Sequence, residues 1–179
     1  MGILKYYEHG GHKTDKLGRP IFIARIGTSD PTALFGNFSM QTIERELMYG
    51  FEIAQRLRYP ALSLISGKRI ETACSIFDLK GKSVSEIFGK DTREMLKMAS
   101  TIANDNYPET MGVSFILNAP MLFKGVWAVI KGFLDEKTRA KIKILGTDYL
   151  DTVLEYVDID NLPKFLGGNC ECEGGCLIA

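Results

Sequence analysis

No apolar run in this sequence approaches the roughly 20 residues that a membrane-spanning helix needs. No leader, charged and then apolar, stands at its start, and neither low-complexity tracts nor internal repeats interrupt it. Net charge is missing too, because 22 basic residues meet 22 acidic ones. Without a basic excess there is no electrostatic footprint for nucleic acid, and without a polybasic cluster no permanent hold on anionic lipid. Histidine is scarce. His9 and His12 stand together in the N-terminal region, G-x-S-x-G does not occur, and neither histidine has an evident serine or cysteine partner. Both read as surface residues rather than catalytic bases. An enzyme is therefore the weakest class, and no catalytic residue is assigned.

Cysteine is nearly as sparse: Cys74, Cys170, Cys172 and Cys176. The chain reads as cytoplasmic, where reduced thiols are the default. The last three lie as C-x-C-x-x-x-C among glycines. A closed structural zinc site wants four ligands, and His9 and His12 are far away in sequence. These therefore read as loop thiols, and no metal is expected. Cys176 to Ala179 also fits the C-a-a-X prenylation pattern, a loose four-residue match kept as the lesser reading. Gly81-Lys82-Ser83 looks like the end of a phosphate-binding loop, but the glycine required five residues earlier is Ile76.

What is present suits one compact domain over residues 1–179. The chain is 45% hydrophobic, and at this length it can bury roughly 70% of its unfolded surface. Residues 1–19 end in a charged turn. Strands are predicted over 21–26, 70–79, 113–117 and 142–145. Ser39 caps a helix that Tyr59-Pro60 ends, with Met40, Ile43, Leu47, Phe51, Ala54 and Leu57 on its inner face. Ser83 with Glu86, and Asp91 with Glu94, are capping boxes for a short helix and a longer one to about Asn106. A further helix spans about 148–156. Strands alternating with helices predict an α/β fold with a mostly parallel sheet.

The segment from Met121 to Leu134 has almost no polar face apart from Lys124 and Lys131. Such a helix is either plain core or the cover of a cavity that opens at a membrane. On either side stand Glu109, before one strand, and Thr138 and Lys141, before the next. Spacing alone makes these solvated residues at strand ends. Were they to border a dry cavity, the charges would need partners, and ammonium plus hydroxyl would seat one phosphate.

FDLKG at 77–81, NDNYPETMG at 104–112, ILNAP at 116–120, FLDEKTRAKIKILG at 133–146 and LPKFLGG at 162–168 resemble the CRAL-TRIO lipid-binding domain, as does HKTDKLGRP at 12–20. The branch they most resemble is the Sec-fourteen-type phosphatidylinositol transfer proteins. The resemblance implies a mixed, mostly parallel five-stranded sheet flooring a hydrophobic lipid pocket. An apolar gate helix from about Met121 to Lys131, followed by Gly132-Phe133-Leu134, would cover it. It implies Glu109, Thr138 and Lys141 as the phosphatidylinositol headgroup residues. Phe22, Phe51, Ser75, Met121, Phe123, Val126, Trp127, Ile130 and Phe133 become pocket and gate. Where choline-binding relatives place tyrosines and hydroxyls, this chain has Gly11, Phe22, Phe51, Ala73 and Ser75, which argues against phosphatidylcholine. Relatives usually carry a small helical domain upstream, so the resemblance implies either a fragment or a minimal member of the family. The implied protein binds phospholipid rather than a cofactor, sits peripherally on membranes, and transfers phosphatidylinositol or presents it to a lipid kinase. The alternatives are a carrier of sterol, tocopherol or retinoid, and a lipid-sensing module of a larger signalling protein.

Overall fold

The computed structural model describes residues 2–81 and 83–177, the Val84 side chain excepted. Ile178 and Ala179, the end of the C-a-a-X match, and Lys82 of the loop-like tripeptide lie outside the described residues.

Five strands form one sheet in sequential order: β1 (His9–Thr14), β2 (Pro20–Arg25), β3 (Ala73–Asp78), β4 (Met111–Leu117) and β5 (Ile142–Ile144). β1 and β2 are antiparallel, and every later pair is parallel. The parallel strands carry the expected β-branched and aromatic residues. β1 was not foreseen as a strand, because Gly10 and Gly11 weaken the signal and the strand lies at an edge. The hairpin turn after it is held by Asp15. Its carboxylate accepts hydrogen bonds from the Leu17 and Arg19 backbone N–H groups and pairs with the Arg19 guanidinium at 2.6 Å. That gives HKTDKLGRP a structural reason.

The helices are α1 (Pro31–Asn37), α2 (Met40–Ile53), α3 (Tyr59–Ser66), α4 (Val84–Ile87), α5 (Lys90–Asn106), α6 (Phe123–Ile130), α7 (Glu136–Ala140) and α8 (Leu150–Leu154). Ser39 caps α2 as expected, its side chain accepting from the Thr42 N–H. The helix does not stop at Tyr59-Pro60. A π turn over Ala54–Arg58 joins α2 to α3, with Pro60 in the first turn of α3, where its missing N–H is tolerated. The wider turn also shifts the apolar stripe, so Leu57, expected on the inner face, is exposed. Half of the Ser83–Glu86 capping box forms: the Glu86 carboxylate accepts from the Ser83 N–H at 2.9 Å, while the Glu86 N–H donates to the Ser83 carbonyl at 3.1 Å. α5 begins before Asp91, which lies in its first turn instead of capping it.

Strand alternation sends two sets of side chains to opposite faces. Ile21, Ile23, Cys74, Ile76, Val113, Phe115 and Leu117 pack against Val153, Val157, Leu162, Leu166 and Leu177 from α8 and the C-terminal segment. This face is tightly sealed; Cys74 is wholly buried, and burial pushes its thiol up to about 12. The other face, carrying Phe77, Ser114, Ile116 and Ile142, looks toward α1, α5 and α6.

FDLKG also has a steric reason. A Cβ at Gly27 would lie 2.2 Å from the Lys80 carbonyl oxygen, and one at Gly81 2.3 Å from that of Gly27. The two loops touch backbone to backbone, which only glycine permits. Gly27→Ala is expected to destabilise the fold by about 1–3 kcal/mol through overpacking. Urea unfolding checks this, and an unchanged midpoint would contradict the close approach.

Candidate functional site

An apolar cavity of about 190 Å³ lies between the second sheet face and helices α1, α5 and α6. Phe77, Ile116 and Ile142 form its floor, Leu34 and Phe35 one wall, Met95 and Leu96 another, and Phe123, Trp127 and Ile130 its cover. Few polar atoms reach it. Two of the hydroxyl residues in its lining, Ser29 and Ser100, donate back to the carbonyls of Ile26 (2.6 Å) and Leu96 (2.9 Å). The hydroxyl of the half-buried Tyr7 is held well above the usual phenol range by desolvation. An apolar void of about 150 Å³ stays dry and accepts apolar solutes, so this space favours hydrocarbon over water. It is smaller than the ~300–1,000 Å³ typical of ligand sites, so a two-chain lipid requires its cover to move.

That cover is α6. It is shorter than the sequence implied, because Met121 and Leu122 fall in a turn before it and Lys131–Phe133 form a 3₁₀ turn after it. Phe123, Val126, Trp127 and Ile130 face inward, while Lys124, Gly125, Ala128 and Val129 are exposed. Eight residues cannot sustain a helix in water unaided, and among the described residues no side chain caps its N-terminus. Its stability therefore comes from packing. Yet the cavity lies beneath it, and a groove of about 180 Å³ runs beside it along Phe88, Arg93, Leu96, Val126, Val129 and Phe133. Voids deprive the lining atoms of dispersion contacts, which leaves α6 among the easier segments to displace. Met121 and Leu122, at 87% and 81% exposure, project large apolar side chains where the segment begins.

The remaining residues expected in the pocket lie around this cavity. Phe22 and Ser75 are register partners on the same sheet face, with Phe22 6.2 Å from the Phe77 ring. Phe51 stacks on Tyr107 at 4.7 Å, joining α2 to the end of α5. None of these three is in the cavity wall. Leu34, Phe35, Met95 and Leu96 are; the sequence places Met95 and Leu96 on the inner face of α5 but assigns none of the four to the pocket. Their signal was the 3–4 residue spacing of apolar positions in α1 and α5.

Lys141 pairs with Glu109 and its N–H donates to the Thr138 carbonyl, which brings the three residues together. Met111 and Ile142 line the cavity, two residues after Glu109 and one after Lys141. Lys141 Nζ lies 3.0 Å from the Glu109 carboxylate, and Lys137 Nζ lies 3.9 Å from it. The site is wet, not dry: the side chains of Glu109 and Lys141 are 66% and 30% exposed. Thr138 belongs to the cap of α7. Its hydroxyl donates to Asp135 at 2.6 Å and its N–H to the same carboxylate at 2.9 Å. Those bonds hold the Asp135 carboxyl below its ordinary range. Glu109 itself adopts a left-handed backbone (φ 60°), uncommon for a residue other than glycine.

The distance in sequence between His12 and the tail cysteines does not carry into space. His12 is buried, not on the surface, and stands beside Cys170, Cys172 and Cys176. Among the described residues, no helix is long and apolar enough to cross a membrane.

The CRAL/TRIO domain family matches residues 4–168. The chain is 42% identical over 177 residues to the Sec14 cytosolic factor of Schizosaccharomyces pombe, an alignment covering 99% of this chain and 61% of that protein. It is 41% identical over 182 residues to the phosphatidylinositol/phosphatidylcholine transfer protein SFH11 of Arabidopsis thaliana, covering 99% of this chain and 47% of the relative. It thus spans about half to three-fifths of these relatives' lengths. The crystal structure of Sfh5 superposes with a TM-score of 0.65 at 22% identity, over 93% of this chain and 55% of that one. That likeness bears on the fold.

Because the Glu109–Lys141 pair is exposed, its removal should cost little. Glu109→Gln is expected to change unfolding free energy by less than about 1 kcal/mol in urea titration. A larger loss would mean the pair is structural.

Proposed function

This chain belongs to the CRAL/TRIO domain family, and from that premise we propose that it binds phosphatidylinositol and either transfers it between membranes or presents it to a lipid-modifying enzyme such as a lipid kinase. The observation that carries this reading is the apolar cavity whose lining residue Ile142 directly follows Lys141. Acyl chains would fill the space beneath α6, and the phosphate would sit at Thr138 and Lys141. Each methylene taken from a bilayer must be matched by comparable burial, since hydrocarbon transfer is worth ~0.8 kcal/mol per CH₂. The small cavity supplies that burial only after α6 is displaced, and exposed Met121 and Leu122 then enter the membrane surface first.

Headgroup capture follows from exchange of partners. Among the described residues Lys141 is held only by a surface ion pair, worth ~0–1 kcal/mol, so a phosphate can take its ammonium at little cost. Glu109, released, is free to accept from inositol hydroxyls. Thr138 must turn its hydroxyl from Asp135 to the phosphate, while its N–H continues to cap α7. Lys137 and Arg139 lie toward the end of the same helix that Asp135 and Glu136 begin, so the positive charge gathers on the Lys141 side. Carriage of this kind needs no covalent step and no cofactor beyond the lipid itself. The reading treats the chain as one lipid-binding domain, cytoplasmic with transient membrane contact, in line with a relative named as a cytosolic factor.

A second reading is a carrier of an unphosphorylated lipid such as a sterol, tocopherol or retinoid. It is favoured by the cavity's uncharged lining and by Phe22, Phe51 and Ala73, which offer no side-chain hydroxyl. Under it Lys141 is dispensable.

Transfer of labelled phosphatidylinositol between vesicles separates the two. Lys141→Ala is expected to lower transfer at least tenfold while leaving the thermal midpoint within a few degrees of the parent. Unchanged transfer would reject the seat. Trp127, the single tryptophan, is expected to be quenched by phospholipid brominated in its acyl chains when that lipid loads into the cavity. Emission unaffected by a loaded brominated lipid would move the acyl site elsewhere.

A further inference from the structure

We propose that His12, Cys170, Cys172 and Cys176 form a zinc site that fastens the C-terminal tail to the edge of the sheet. One imidazole nitrogen and three thiol sulfurs lie within 4.8 Å of one another. Tetrahedral zinc, with Zn–S near ~2.3 Å and Zn–N near ~2.0–2.1 Å, holds its donors roughly 3.5–3.8 Å apart. The Cys170 and Cys172 sulfurs are 3.6 Å apart, at that spacing and far beyond the ~2.05 Å of a disulfide. All four cysteines of the chain are free thiols.

His12 supplies an independent observation. It is only 6% exposed, yet its Nε2 has no hydrogen-bond partner among the described residues. A buried polar atom left this way costs stability, and metal ligation removes the cost. The fold brings the parts together by ordinary means. β1 alternation turns His12 toward the tail. Cys170 is fixed by a bridge to Pro163, with its N–H donating to Leu162 and its carbonyl accepting from the Lys164 N–H, both at 3.0 Å. Gly174 and Gly175, at φ 79° and 108°, turn the chain so that Cys176 comes back to Cys170. Three sulfurs with one nitrogen in a closed set suit structural zinc, with no position left open for chemistry. The charge also balances, because zinc with three thiolates is singly negative and Lys13 adjoins Cys170. The site joins the first strand to the last segment, whose Leu177 is buried against the sealed sheet face.

Metal analysis of the full chain purified from zinc-supplemented cells in reducing buffer tests this. One zinc per chain, surviving dialysis, is expected, and Co²⁺ exchanged into the site should give the visible bands of a tetrahedral thiolate complex. Cys172→Ser and His12→Ala should each lower zinc below a tenth per chain. His12→Cys should keep it, since four thiolates also close the site. If the variants do not fold, the parent's zinc content and cobalt spectrum still decide. Metal-free parent protein that gives no cobalt bands would overturn the proposal, as would Cys172→Ser retaining one zinc.

Discussion

The handedness of parallel crossovers constrains everything else in this molecule. β2 to β5 follow one another across the sheet in chain order, and a strand–helix–strand connection is right-handed in nearly every case. Repeated steps in one direction put α1 to α7 on one side. The other side must then be covered by something that is not a crossover, and here that is α8 with the tail through Leu177. The two faces consequently have different characters. One is a continuous core; the other is covered by the crossover helices, and the cavity lies between them and the sheet.

Function on this account grows from the weakest of those bridges. α6 has eight residues, no capping side chain among the described residues and imperfect packing both beneath and beside it. A longer, better-packed helix would stabilise the domain and shut the cavity. The polar cluster is similarly uncommitted. Lys141 and Glu109 satisfy each other in water, and Thr138 satisfies Asp135, so no buried charge waits for a ligand. On the proposed reading, both halves of the site rest in a modestly stable closed arrangement for lipid to displace.

Much of this was legible in the sequence, for local reasons. β2, β4 and β5 announce themselves through runs of β-branched and aromatic residues, and Ser39 and the Ser83–Glu86 pair mark helix starts by capping chemistry. What could not be read depends on tertiary context. β1 hides behind two glycines and gains its partner only when the Asp15 turn closes. Pro60 signals a helix end by local rules, whereas a π turn carries the helix through it. Glu109, Thr138 and Lys141 suggest a phosphate seat by residue chemistry, but spacing alone makes them solvated strand ends, and the family resemblance is what favours the seat. Their convergence depends on β4 and β5 pairing side by side. His12 and the tail cysteines occupy opposite ends of the chain, so a spacing rule has no means of joining them. The tail's return across the sheet does.

The most direct test of the central claim is mass spectrometry of the organic extract from the purified protein, after exposure to mixed phospholipids and sterol. The account predicts near-stoichiometric phosphatidylinositol with little phosphatidylcholine. An extract dominated by sterol or another unphosphorylated lipid, with phosphatidylinositol absent, would contradict it.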